Sequence, residues 1–201
     1  MMRKIAVFGG TFNPIHNGHL HLAGQFAGIL HADTVLLIPT NVPPHKRAPD
    51  LAPAEDRLAM CRLAARGDGL FRVSDLEIRR GGPSYTSETL VRLRALFPGA
   101  ELFLIVGEDM FVTLEEWHDP AAIYHLATVC AAPRSPAGTS ALRRYAERIE
   151  AKGARTRIEN IAYLPVSSTR VREAVRAGES ISALVPAPVE RYIREKKLYM
   201  E

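Results

Sequence analysis

The sequence predicts an α/β protein: a mainly parallel sheet with helices on both faces. Short, wholly apolar runs such as Val35-Leu36-Leu37-Ile38 and Leu102-Phe103-Leu104-Ile105-Val106 recur along the chain, separated by amphipathic segments. Strands that are apolar at every position are buried on both sides, as happens in parallel sheets covered by helices. The first apolar run closes on Gly9-Gly10 and gives way to a helical pattern, the turn at which a ligand can approach the backbone closely. With 201 residues, 47% apolar and 24% charged, the composition is ordinary globular, which excludes a disordered chain, a collagen-like repeat and a coiled coil. A single domain is expected over 1–201, with 177–201 as a C-terminal helical appendage.

The elements follow from local pattern. Ile5 to Phe8 is the first buried strand, and Leu22, Phe26, Ile29 and Leu30 at helical spacing predict a helix over 18–30. Thr34 to Pro39 is the second strand, and the Pro-rich stretch from Pro39 to Pro53 is a loop. A helix is expected from Glu55 to Arg66, an alternating strand from Phe71 to Ile78, and a helix from Thr86 to Phe97 closed by Pro98-Gly99. Buried strands follow at Glu101 to Val106 and Thr128 to Ala132, then a helix from Leu142 to Lys152. Ile161 to Val166 is expected as the last strand, leading into a helix from about Ser168 to Arg176. The mixed-charge segment Val189 to Lys197 is expected as a solvated helical cap.

Charge and cysteine usage narrow the function classes. Lys plus Arg is 26 and Asp plus Glu is 22, a net charge of +4. That suits phosphorylated ligands and is too small to argue for nucleic acid. Cys61 and Cys130 stand too far apart for a CxxC metal knuckle and fit reduced thiols of a cytoplasmic protein. The longest apolar stretches are four or five residues, against the ~20 of a membrane-spanning helix. No signal peptide pattern follows Arg3 and Lys4.

In α/β sheets, ligands bind beyond the carboxyl ends of the strands. Five of the seven histidines fall within the first 45 residues, which directs attention to the end of the first strand. There the chain reads Gly9-Gly10-Thr11-Phe12-Asn13-Pro14-Ile15-His16-Asn17-Gly18-His19-Leu20. His16 and His19, three apart at a helix start, share one face. Backbone N–H groups and the helix dipole favour an anion there, and Gly18 is expected to leave room for a phosphate. Zinc is not expected, because no Cys or carboxylate stands nearby. GxxxxGK[ST] and GxGxxG are both absent, which excludes a Walker loop and a dinucleotide fingerprint.

GGTFNPIHNGHL, residues 9–20, resembles the TxxH/HxGH signature of the nucleotidyltransferase superfamily, and more closely that of bacterial nicotinate-mononucleotide adenylyltransferases. The resemblance runs from residue 5 to about 176 with the motifs in the family's order. Pro43-Pro44-His45-Lys46 matches a PPHK loop, and Ser84-Tyr85-Thr86-Ser87-Glu88-Thr89-Leu90 matches SYTxxTL. Gly107-Glu108-Asp109 with Leu114 and Trp117-His118 matches GxDxxxxLxxWH, and Ser167-Ser168-Thr169-Arg170-Val171-Arg172 matches SSTxxR. The departures are Asn13, where Asp is commoner, and Val166, where Ile is usual. Asn13 lacks a carboxylate that would orient a neighbour.

The resemblance implies a Rossmann-like fold and adenylyl transfer from ATP to nicotinate mononucleotide, giving deamido-NAD and pyrophosphate. Magnesium would be carried by the ATP phosphates. Two rivals are another superfamily member, such as a pantetheine-phosphate adenylyltransferase, and a non-catalytic nucleotide-binding module. Catalysis is assigned to His19 and His16, with His19 the stronger candidate. ATP contacts fall to the two histidines and to Gly9, Gly10, Thr11, Phe12 and Gly107 early in the site, and to Ser168, Thr169 and Arg172 late in the chain. The second substrate falls to Lys46, Tyr85, Thr86, Asp109 and Trp117. The residues themselves allow blander roles: Lys46 as a surface charge, Ser168-Thr169 and Asp109 as helix N-caps, Trp117 as core. No nucleic acid or membrane partner is expected, and a homo-oligomer is left open.

Overall fold

Ile5, Ala6 and Val7 are each at most 1% exposed, so the first strand is covered on both faces, as its unbroken apolar run requires. The computed structural model describes residues 2–43, 50–135 and 137–200. The chain opens with β1 (Lys4–Gly10), α1 (Asn17–Leu30), β2 (Thr34–Pro39), α2 (Ala54–Ala64), β3 (Phe71–Val73) and α3 (Leu76–Arg80). It continues through α4 (Thr86–Leu96), β4 (Glu101–Val106), α5 (Glu108–Phe111), a 3-10 turn (Leu114–Glu116), α6 (Pro120–Leu126) and β5 (Thr128–Ala131). It closes with α7 (Gly138–Glu150), β6 (Arg155–Ile158), α8 (Ser168–Arg176) and α9 (Ala187–Glu195). The six strands lie in the order β3-β2-β1-β4-β5-β6. β1 pairs in parallel with β4, with Ile5 opposite Leu102. β4 pairs in parallel with β5, and β5 with β6, with Ile105 opposite Cys130 and Cys130 opposite Arg157.

Packing divides the chain into two units. The first comprises residues 1–9, 22–36 and 85–163. Its part of α1 buries Ala23, Phe26, Ala27 and Leu30, an i, i+3, i+4, i+7 stripe. The stripe is rotated from the expected one: Ile29 is 38% exposed and Leu22 only half-buried. Leu90 and Leu93 of α4, Ile123 of α6, and Leu142 and Ile149 of α7 complete the apolar layers. Full burial of one such side chain is worth about 1.5–3 kcal/mol.

The second unit comprises residues 10–21, 37–84 and 164–201. Here α9 packs on α2, and the Tyr192 hydroxyl donates to Asp56 Oδ1 at 2.8 Å. Val189 and Ile193 are fully buried, so α9 has one core face and is not the solvated cap expected.

Two further expectations are corrected. The strand expected over Phe71–Ile78 ends at Val73, and Leu76–Arg80 forms α3. The last strand is Arg155–Ile158, whereas 160–167 carries no strand or helix. β6 lies at an edge of the sheet, so its alternate residues face solvent and no apolar run marks it. Within the expected strand Ile161–Val166, Tyr163 is 49% and Leu164 37% exposed.

Candidate active site

The second unit builds a histidine cluster from the loop after β1. Phe12 is buried at φ 46, and its ring lies where a side chain on Gly10 would stand, 3.1 Å from that Cβ position. Phe12 meets the His19 ring edge-on at 5.0 Å. His16 and His19 are brought together as the sequence implied, stacked at 3.6 Å between centroids with 23° between planes. Gly18 makes room for the His16 ring: a Cβ there would stand 3.1 Å from His16 Nδ1 and 3.2 Å from the Val166 carbonyl oxygen.

The two imidazoles are held by different means. His16 is 5% exposed, and burial pulls it down to about 4 from 6.5, so it is neutral near pH 7. Its Nδ1 is buried without a hydrogen-bond partner. His19 Nδ1 accepts the His16 backbone N–H at 3.2 Å. That leaves Nε2 to carry the proton, so His19 presents an N–H donor. The backbone donors expected at the start of α1 are largely taken. The N–H of Asn17 donates to the Leu184 carbonyl, and those of His19 and Leu20 donate to the His16 carbonyl.

Residues far along the chain grip this loop. Ser168 Oγ donates to the Pro14 carbonyl at 2.9 Å. Arg172 Nη1 donates to the Asn13 carbonyl at 2.9 Å, and its Nη2 to Thr169 Oγ1 at 3.4 Å. The N-cap of α8 is Ser167, whose side chain accepts from the Arg170 N–H; Ser168 and Thr169 therefore stand in the first turn and are not the cap. Asp50 Oδ2 lies 2.5 Å from Arg176 and 3.9 Å from Arg172.

Sequence reasoning missed Arg57. It is 1% exposed and donates Nε to the Ala52 carbonyl, Nη1 to those of Thr11 and Thr40, and Nη2 to that of Asn41, at 2.6–3.0 Å. A buried guanidinium survives here because main-chain oxygens surround it. Arg57 thereby ties the exit of β1 to that of β2. A signal existed: Arg57, Leu58 and Cys61 share the buried face of α2.

The first unit carries the other predicted residues. Tyr85 precedes α4 and stacks on His118 at 4.2 Å and 20°. Ser87 Oγ lies 3.0 Å from His118 Nδ1. Neither Ser87 nor His118 was singled out from sequence, although both stand inside the motifs. Thr86 opens α4. Trp117 is half-buried rather than core, and its indole N–H donates to Thr113 Oγ1 at 3.4 Å. Asp109 is not an N-cap: Gly107 caps α5, and the exposed Asp109 carboxylate pairs with Arg134 at 2.7 Å. Side chains at Gly9 and Gly107 would meet nothing within 4 Å. Lys46 lies outside the described residues.

Residues 7–174 match the model of the cytidylyltransferase-like family. The chain is 41% identical to a probable nicotinate-nucleotide adenylyltransferase of Synechococcus sp. (strain JA-3-3Ab), covering 99% of this chain and 96% of that protein. It is 38% identical to a protein of the same name from Dehalococcoides mccartyi (strain CBDB1), covering 98% and 97%. A solved structure of the Plasmodium falciparum nicotinic acid mononucleotide adenylyltransferase complexed with NaAD superposes with a TM-score of 0.77 at 17% identity, covering 98% of this chain and 97% of that one. That likeness shows the Rossmann-like α/β fold. The chain belongs to the cytidylyltransferase-like family and, within it, to the nicotinate-nucleotide adenylyltransferases.

Proposed function

We propose that this protein transfers the adenylyl group of ATP to nicotinate mononucleotide, giving deamido-NAD and pyrophosphate in NAD biosynthesis. The observation that carries the proposal is the His16–His19 pair, one imidazole neutral by burial and the other fixed as an Nε2–H donor. Full-length similarity to proteins of that name supports the choice of acceptor.

In the reaction, an oxygen of the mononucleotide 5′-phosphate bonds to the α-phosphorus of ATP. The bond from that phosphorus to the bridging oxygen breaks, and its electron pair leaves with pyrophosphate. The attacking phosphate is ionised at neutral pH, so no base or covalent intermediate is required. The protein's task is to position two anions and to balance the charge that grows on the phosphates. His19 Nε2–H meets that charge, with His16 stacked behind it. Gly9, Gly10, Thr11, Phe12 and Gly107 line the nucleotide, the first turn of α8 offers the N–H groups of Ser168 and Thr169, and Arg172 adds positive charge.

Tyr85 and Thr86 at the start of α4 receive the nicotinate carboxylate, Trp117 stacks on the pyridine, and Asp109 exchanges Arg134 for ribose hydroxyls. Lys46 completes the substrate set. Magnesium enters as part of the ATP substrate. Among the described residues no group of three or more His, Cys, Asp or Glu is placed to hold an ion. The buried thiols Cys61 and Cys130 support a cytoplasmic setting.

Product analysis with ATP, magnesium and either nicotinate or nicotinamide mononucleotide tests the proposal. Deamido-NAD and pyrophosphate are expected, with kcat/KM for the nicotinate form higher by about 10²-fold. No dinucleotide from either acceptor would overturn it.

A further inference from the structure

We propose that Tyr199 is a positioning residue for the histidine loop: its phenol hydroxyl fixes Asn13, and through Asn13 the stacked His16–His19 pair. The proposal rests on His16 and His19 contacting the nucleotide phosphates.

Asn13 stands three residues before His16 and is 4% exposed. Its Nδ2 donates to the Asp50 carbonyl at 2.9 Å. Its Oδ1 accepts the Ala52 N–H at 3.0 Å and the Tyr199 hydroxyl at 2.8 Å. Both lone pairs of that oxygen are therefore used, and Tyr199 fills the second. Without it, a buried acceptor is left short of a donor. The Asn13 carbonyl is held by Arg172 and the Pro14 carbonyl by Ser168. Side chain and backbone together leave this loop one arrangement, and the two imidazoles follow it.

The chain after α9 is bent to deliver the hydroxyl. The N–H of Leu198 donates to the Ile193 carbonyl and that of Lys197 to the Arg194 carbonyl, which turns the backbone at Lys197. Tyr199 itself adopts φ 65, a conformation that a non-glycine residue holds only where its contacts impose it. Burial pushes the Tyr199 phenol above its ordinary value, so it remains a donor wherever the enzyme works. Asparagine at position 13 also finds its reason. An aspartate would keep the acceptor for Tyr199 but lose the donor to Asp50, and would place a carboxylate against a carbonyl oxygen.

Tyr199→Phe removes one oxygen and leaves the ring, so the fold is expected to persist. kcat is expected to fall about tenfold and the Kd for ATP to rise severalfold, the loss of one buried hydrogen bond. The KM for the mononucleotide stays within twofold. The 15N signals of the His19 imidazole are expected to shift, which a merely structural role would not produce. Asn13→Ala should cause a similar loss, and the double variant should be no worse than Asn13→Ala alone. Unchanged kcat, ATP Kd and His19 signals in Tyr199→Phe would overturn the proposal, as would strictly additive losses in the double variant. Absence of adenylyl transfer in the wild type would defeat the functional reading alone, because ATP binding and the imidazole signals report Tyr199 independently.

Discussion

The two clusters that carry the predicted site residues are built by opposite means. In the second unit, side chains bind main chain: the buried Arg57 to four carbonyls, the buried Asn13 to Asp50 and Ala52, and the half-buried Ser168 to Pro14. In the first unit, side chains bind one another, and all but the buried Ser87 are exposed or half-buried: Asp109 with Arg134, Ser87 and Tyr85 with His118. Main-chain partners cannot swing away, so the histidine cluster is set before any ligand arrives. Side-chain pairs on a surface exchange partners at little cost. Stabilising charge that appears only in a transition state needs donors already in place. Selecting an acceptor needs contacts that form when it binds. The contrast predicts where substitutions alter rate and stability and where they alter recognition alone.

The most severe break in the contrast is His19→Ala. It removes the oriented Nε2–H donor together with the Nδ1 acceptor of the His16 N–H. We expect kcat to fall by about 10²–10³ with native circular dichroism. Near-normal turnover in a folded variant would remove His19 from the mechanism.

Arg57→Lys tests the rigidity of the same cluster. Lysine keeps the charge but offers three donors from one point in place of a planar fork, so the loops at Thr11, Thr40 and Asn41 cannot all be held. Each buried carbonyl left unpaired costs about 1–3 kcal/mol, and a loss of about 3 kcal/mol on urea unfolding is expected together with lower kcat. A variant as stable and as fast as the wild type would show that these loops hold themselves.

Acid probes His16. In the unfolded chain it takes up a proton near 6.5, whereas the folded protein keeps it neutral down to about 4. Between those values the unfolded state binds more protons, so stability is complete above pH 6.5 and falls as the pH drops toward 4. The span corresponds to about 3 kcal/mol at most. Melting of the wild type and of His16→Asn from pH 7 to 4 checks this: the variant should show a shallower fall. Parallel curves would assign the acid sensitivity to other groups.

How much of this was legible from sequence follows from the same physics. β1, β2, β4 and β5 were plain because strands buried on both faces leave runs with few polar positions. β6, RTRI, was not, because an edge strand needs no such run. The histidine pair and the Ser168–Arg172 segment were visible as spaced polar residues beside glycines. Arg57, Asn13 and Tyr199 act through hydrogen bonds to residues up to 186 positions away, and no local pattern encodes such a partner. The close approach of the His16 ring to Gly18 was not legible, because the fold and not the local sequence sets it.

The smallest expected effect belongs to Trp117 and sharpens the comparison from its open side. Trp117 is half-buried, and its hydrogen bond to Thr113 is long at 3.4 Å, so Trp117→Ala should leave the melting temperature nearly unchanged, unlike Arg57→Lys. If its ring stacks on the nicotinate, the contact is worth about 1 kcal/mol beyond area burial, and the mononucleotide KM should rise about fivefold with kcat and the ATP KM preserved. The sole tryptophan of the chain also gives a direct readout, since an electron-poor pyridine lying on the indole quenches its emission. Saturating nicotinate mononucleotide should therefore dim the fluorescence, and ATP alone should dim it far less. An unchanged KM in Trp117→Ala, with emission insensitive to the mononucleotide, would make Trp117 a surface packing residue. The recognition cluster would then rest on Tyr85 and His118, a stacked pair that Ser87 ties to α4.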